Sequence, residues 1–331
     1  MRCLDKKIEI FGFLEKIDKF VTDTGHSQTH NISIIILYIN TLNATGSIHI
    51  FPCTITENQT TTKNNRKQPP QPKKFLPMVT EFAKGRLKVK MSDTRTELGE
   101  VAAKEVAAYI KELLSRKDEV NIIFASAPSQ NEFLAALLTH EIEWNRINAF
   151  HMDEYIGIDP EAPQAFGKFL KDRIFSKVTP KSVHYMNPQA QDPEEECRRY
   201  AALLKQMPAD IVFLGIGENG HLAFNDPHVA FFDDPESVKV VDLAPECRNQ
   251  QINDGCFKSL DEVPTHALTI TIPELLHVDK LYAIVPSKAK AKAIGATCDG
   301  PIRTTCPASI LRTHKDVTLY VDKESASLVT R

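Results

Sequence analysis

The stretch Asp210-Ile211-Val212-Phe213-Leu214-Gly215-Ile216-Gly217-Glu218-Asn219-Gly220-His221-Leu222-Ala223-Phe224-Asn225-Asp226-Pro227 decides how the chain is read. Its first part, residues 210–215, is short, apolar and rich in branched or aromatic side chains, the pattern of a strand buried on both faces. The composition then turns to glycines, a histidine and acids. In an open α/β sheet, ligands and chemistry gather at the carboxyl ends of the strands, and His221 falls on such a loop.

Outward from this strand, helical and strand-like patterns alternate from Leu87 to the end of the chain. Thr94 and Glu97 have capping-box spacing, and Leu98, Val101, Ala102, Val106, Tyr109, Ile110 and Leu113 recur at helical intervals. Strands are expected at 120–125, 147–151, 267–272, 281–285 and 317–321, with another at about 238–242. Helices are expected at 131–140, 166–174 and 287–296, and Asp192-Pro193 opens one running through Leu204. This alternation predicts an α/β fold: a mostly parallel, Rossmann-like sheet with helices on both faces in three layers. Composition changes near residue 77. Residues 63–74 hold three prolines and five basic residues, so residues 1–76 are expected to be a largely disordered extension with one strand at 32–39, and residues 77–331 the folded domain.

Composition excludes several classes of function. With 40 basic against 43 acidic residues, a net charge of −3 gives no electrostatic footprint for nucleic acid or an anionic membrane. The longest apolar run, 32–39, is far short of a membrane span, and Asp5, Lys6, Lys7 and Glu9 occupy the region where a signal peptide would be apolar. Seven scattered cysteines without a C-x-x-C pair read as reduced thiols and a cytoplasmic location, with no metal site expected.

Three strand-following loops hold the chemistry: Ser126-Ala127-Pro128-Ser129-Gln130, Met152-Asp153-Glu154-Tyr155-Ile156-Gly157, and the segment quoted first. Taken singly, Asp153-Glu154 reads as a turn or helix cap and His221 as a structural hydrogen-bonding residue. Together, Phe150-His151-Met152-Asp153-Glu154-Tyr155-Ile156-Gly157 and Leu214 through Pro227 resemble the glucosamine-6-phosphate deaminase/isomerase family, over about residues 78–331 and including Thr305-Cys306-Pro307-Ala308-Ser309-Ile310-Leu311.

The resemblance implies conversion of glucosamine 6-phosphate and water to fructose 6-phosphate and ammonia, without a cofactor or metal. Asp153 would be the base on the C2 proton and His221 the acid–base group at the ring oxygen. Asn219 stands where many members have Asp, which argues against a charged partner for the histidine. Asp226 stands where the family often has Glu, and its shorter side chain is expected to reach His221 only through a shifted backbone or a water. Ser126 and Ser129 would hold phosphate in a loop where Pro128 removes one N–H donor. Gly217 and Gly220 are read as giving close backbone approach to a ligand, and Arg248 and Lys290 as phosphate-binding cations. The alternatives are a 6-phosphogluconolactonase-like hydrolase and a non-catalytic sugar-phosphate sensor. The expected partner is a small sugar phosphate, with a homo-oligomer allowed.

Overall fold

The computed structural model describes residues 79–330. The extension expected over 1–76, with its strand at 32–39, lies outside the described residues. The strands are β1 (Thr80–Lys84), β2 (Leu87–Ser92), β3 (Val120–Phe124), β4 (Ile147–His151), β5 (Asp153–Tyr155), β6 (Ser182–His184), β7 (Ile211–Leu214), β8 (Val238–Asp242), β9 (His266–Ile270), β10 (Lys280–Val285) and β11 (Val317–Asp322). Eight of them form one sheet in the order β1-β2-β11-β10-β7-β3-β4-β6, parallel throughout except for the β1–β2 hairpin. The α-helices are α1 (Arg95–Leu114), α2 (Asn131–Leu137), α3 (Phe166–Leu170), α4 (Pro193–Gln206), α5 (Pro245–Asn253), α6 (Ile272–Leu276) and α7 (Ala291–Asp299).

Strand pleating explains the three layers. In β3, Ile122 and Phe124 point to a core with Leu98, Val106 and Ile110 of α1 and Phe133 of α2, whereas Ile123 points to a second core with Tyr200 and Leu204 of α4 and Ile294 of α7. Each such fully buried side chain contributes about 1.5–3 kcal/mol relative to exposure. The capping box of α1 is complete: Glu97 N donates to Thr94 Oγ1 (3.2 Å) and Thr94 N to Glu97 Oε2 (3.1 Å). Asp192 caps α4 by accepting from Glu194 N and Glu195 N.

Several boundaries differ from the sequence expectation. The strands near 238–242 and 267–272 do not enter the parallel sheet. They form a separate antiparallel sheet, β5-β9-β8, and draw Asp153–Tyr155, expected as loop, into strand β5. Periodicity gives a strand its faces but not its neighbour. The helix expected over 166–174 is α-helical only to Leu170 and continues as a π turn, with Ser176 N bonded to Lys171 O. The helix at 131–140 ends at Leu137, and the one expected from Ser287 excludes that residue, whose φ is +93°, and opens with a 3-10 turn at Lys288–Lys290.

The chain order reverses direction across the sheet between β3 and β7. From β3 the strands run outward to β4 and β6, then return to β7 on the other side and proceed to β10 and β11. Such a switch point opens a crevice above the strand ends.

The contact of α1 with α2 depends on Gly99. A Cβ there would lie 2.7 Å from the backbone carbon of Glu132 and 2.9 Å from Phe133 N. Gly99→Ala should therefore destabilise the protein by about 1–3 kcal/mol in denaturant unfolding, although alanine is intrinsically the better helix former by about 1 kcal/mol.

Candidate active site

The carboxyl ends of β3, β4, β7 and β10, together with α5, line one cleft that contains Ser126, Ser129, Asp153, Gly217, His221 and Lys290. The strands are mainly apolar and lead into loops that carry the polar residues, so the register that buries the strands also places these side chains together.

After β3, the chain turns through a 3-10 segment, Pro128–Gln130, into α2. Gln130 Nε2 donates to Ser129 Oγ (3.0 Å) and to Ile284 O (3.1 Å), which ties this loop to β10. Ser126 Oγ is buried with no hydrogen-bond partner among the described residues. Arg95 reaches the same loop, donating to Pro128 O (3.2 Å) and Glu132 Oε2 (2.8 Å).

After β4, alternation along β5 sends Asp153 into the cleft and Glu154 behind it. Asp153 Oδ1 is buried and accepts no bond from the described residues. Burial, helped by the neighbouring Glu154 charge, holds the Asp153 carboxyl well above the usual carboxylate range. Glu154 accepts from the backbone N–H groups of Tyr155, Phe166 and Gly167 at 2.9–3.1 Å. Burial nevertheless outweighs these bonds and raises its pKa to about 7. His151, at 3.6 Å from Glu154, is fully enclosed and is pushed down to about 3 by desolvation, so its ring is neutral.

The loop after β7 places the histidine. Gly217 N donates to His221 O and Gly220 N to Gly217 O, both at 3.0 Å. Gly217 is required for room, since a Cβ would sit 2.2 Å from the His221 ring. His221 Nδ1 lies 3.0 Å from Asp226 Oδ1, which also accepts from Asn219 Nδ2 (2.8 Å). Ala244 N donates to Asp226 Oδ2 at 3.0 Å, and the Cys247 sulfur lies within 4.8 Å of the same carboxylate. Burial alone would raise the Asp226 pKa, but the bonds from His221, Asn219 and Ala244 and the attraction of the His221 ring leave it below the usual value.

Several sequence-based assignments are corrected. Asp226 reaches His221 directly, so its shorter side chain needs no water. The histidine has a charged partner, which Asp226 supplies; Asn219 donates to that carboxylate and accepts from His221 N (3.1 Å). Arg248 is not in the cleft: its Nη2 donates to Leu260 O (2.5 Å) and Val263 O (2.8 Å), pinning α5 to the following turn. Gly220, at φ +86°, faces Cys306 and not the cleft, where a Cβ would meet Cys306 Sγ at 2.7 Å. Lys290 does face the cleft. It is 6% exposed and has no ion pair or side-chain hydrogen bond among the described residues, and burial lowers its pKa.

Sequence reasoning missed Arg95 and the inner face of α5. Cys247, Gln250, Gln251 and Asp254 follow i, i+3, i+4, i+7 spacing, a signal that would have marked them as one stripe. Gln250 accepts from Glu218 N (2.8 Å) and donates to Asp254 (3.2 Å), bracing the loop that carries His221.

Glu154 generates a pH-dependent prediction. Its folded-state pKa lies above its unfolded value, so it contributes stability that is present below about pH 4.5 and lost as pH rises toward about 7. Glu154→Gln should remove up to about 3 kcal/mol of this pH dependence. Unfolding free energies of both proteins between pH 5 and 8, at roughly half-unit steps, read the difference in slope whatever the constant offset from the altered hydrogen bonds.

Residues 93–320 match the family described as glucosamine-6-phosphate isomerases/6-phosphogluconolactonase. A glucosamine-6-phosphate deaminase of Listeria innocua serovar 6a is 34% identical over 235 residues, covering 71% of this chain and 98% of the relative. One from Streptococcus sanguinis is 32% identical over 243 residues, covering 73% and 99%. Among solved structures, a monomeric glucosamine-6-phosphate deaminase superposes with a TM-score of 0.66 at 33% identity, covering 72% of this chain and 99% of that one. A 6-phosphogluconolactonase from Thermotoga maritima, at TM-score 0.59 and 18% identity over 72% of this chain and 99% of that one, shares the fold alone. The chain therefore belongs to the glucosamine-6-phosphate isomerase/6-phosphogluconolactonase family.

Proposed function

We propose that this protein is an enzyme that converts glucosamine 6-phosphate and water to fructose 6-phosphate and ammonia. The observation that carries the reading is the pairing, in one cleft, of an unbonded buried carboxyl at Asp153 with a carboxylate-backed imidazole at His221. The names of relatives at 32–34% identity support the same reaction.

His221 transfers a proton to the ring oxygen as the sugar opens. Asp226 stabilises the imidazolium whenever the ring holds the proton, as a buried carboxylate does behind other catalytic histidines. Asp153 then removes the C2 proton and returns it to C1. Burial raises its pKa, which makes the carboxylate a stronger base toward the C2 proton, and the acid so formed delivers that proton to C1. The resulting C2 iminium takes up water and releases ammonia, leaving the ketose. Lys290, without a counter-ion among the described residues, holds the phosphate together with the hydroxyls of Ser126 and Ser129. Burial of the cleft strengthens these contacts relative to water. The reading includes a reducing, cytoplasmic setting, in keeping with the free thiols of Cys197, Cys247, Cys256, Cys298 and Cys306.

Incubation with glucosamine 6-phosphate should release ammonium and fructose 6-phosphate in equal amounts. Asp153→Asn should lower kcat by roughly 10²–10⁴-fold, the usual contribution of a general base, with KM changed only a few-fold. Unchanged turnover in that variant would remove Asp153 from the mechanism, and acid release from 6-phosphogluconolactone without ammonia formation would favour the hydrolase.

Lys290→Met tests the phosphate contact separately. A lost charge-assisted hydrogen bond is worth about 1.5–3 kcal/mol, so KM should rise roughly 10- to 100-fold while kcat stays within a few-fold. Steady-state kinetics on the purified variant measures both.

A further inference from the structure

Cys247 projects from the inner face of α5 onto the carboxylate that orients His221, and only 1% of it is exposed. Its Sγ, a ring nitrogen of His221 and a carboxylate oxygen of Asp226 all lie within 4.8 Å of one another. All three residues are buried, and His221 gives the group its opening to the cleft. One thiol, one imidazole and one carboxylate around a single point are a donor set for a borderline-soft divalent cation. Zinc takes such ligands at about 2.0–2.3 Å, which sets tetrahedral donors about 3.5 Å apart. The His221–Asp226 pair, now at 3.0 Å, would spread by a few tenths of an ångström, and the Cys247 sulfur, within 4.8 Å of both, would close in by up to about an ångström.

We propose that His221, Asp226 and Cys247 form a binding site for Zn²⁺-class ions, and that occupancy switches the enzyme off. Binding replaces the Cys247 thiol proton by a Zn–S bond and releases that proton to solvent. The Nδ1 lone pair of His221 forms the Zn–N bond, so the proton it shared with Asp226 moves to Nε2. The assembled site is neutral overall: one Zn²⁺, one thiolate, one carboxylate and a neutral imidazole. With Nε2 protonated and Nδ1 metallated, His221 has no lone pair to accept a proton, which is why binding stops turnover. Hard oxygen-seeking cations such as Mg²⁺ gain nothing from the thiol and are excluded.

Inhibition rests on the reaction proposed above, but metal binding does not, so the test reads the two separately. Full-length protein is titrated with Cd²⁺ in buffer free of thiols and chelators, following the ultraviolet charge-transfer absorption of the Cd–thiolate bond. Deamination is measured in parallel against Zn²⁺. Cys247→Ser should lose one stoichiometric Cd–thiolate band and raise the Zn²⁺ concentration for half inhibition at least 10-fold, relative to its own metal-free rate. Should that variant fold poorly, His221→Ala, followed by absorption alone, should keep the band but weaken Cd²⁺ binding at least 10-fold. The proposal fails if Cys247→Ser leaves both the band and the inhibition unchanged, or if neither Cd²⁺ nor Zn²⁺ acts at up to millimolar concentration. It fails equally if His221→Ala binds Cd²⁺ as tightly as the unmodified protein. Cd²⁺ binding lost in Cys247→Ser together with absence of any deaminase activity would establish the metal site and overturn only the reaction.

Discussion

The site is organised around a carboxylate that has lost all contact with water. Asp226 is 0% exposed, and a charge in that position is stable only if hydrogen-bond donors replace its hydration shell. Three do so: the His221 ring, the Asn219 amide and the Ala244 backbone N–H, with the Cys247 thiol packed nearby. These donors come from two distant parts of the chain, the loop after β7 and the approach to α5. One carboxylate therefore joins both walls of the cleft, and the orientation of His221 follows from that joint. Gly217 and the Gln250–Glu218 contact keep the loop in the only shape that lets the ring reach Asp226.

Against this satisfied centre stands a set of unsatisfied groups facing the same cleft. Among the described residues, Ser126 Oγ and Asp153 Oδ1 have no hydrogen-bond partner and the Lys290 ammonium has no counter-ion. Buried polar groups in native proteins are nearly always paired, so their concentration at one place marks where a ligand supplies the missing partners. Backbone strain collects there too. Ala223 and Ser287, the non-glycine residues with positive φ among those described, both line the cleft, at φ +50° and +93°. Ser287 is held by its N–H bond to Asp322 Oδ2 at 2.9 Å, which lets β11 fix the entry to Lys290.

Much of this was legible in the residues alone. The Thr94–Glu97 box, the Asp192 cap and the apolar runs of β3, β4, β7, β10 and β11 depend on local chemistry, and all appear as read. The convergence of three loops on one edge followed from parallel strands, because every such strand points its carboxyl end the same way. The errors lie where position depends on a partner far away in sequence. Arg248 carries the right charge in a plausible place, yet two backbone carbonyls near 260–263 claim its guanidinium. Gly220 looked like a ligand-facing glycine but makes room for Cys306. Of the two routes open to the shorter Asp226 side chain, a shifted backbone or a water, the direct 3.0 Å contact with His221 leaves no need for the water. The turn at 222–225 is tied by Asn225 to Ile270 O.

By itself, the sequence determined the three-layer α/β plan and brought Asp153, His221 and the serine loop to one edge, because hydrophobic period and strand direction are local properties that parallel pairing merely propagates. Tertiary structure alone decided which polar groups are spent and which are free. Asn219 and Arg248 went to internal partners, while Asp153 and Lys290 remained open to the cleft. Such an allocation depends on distances between residues that the chain brings together only when it folds, and on the desolvation that each group meets once there.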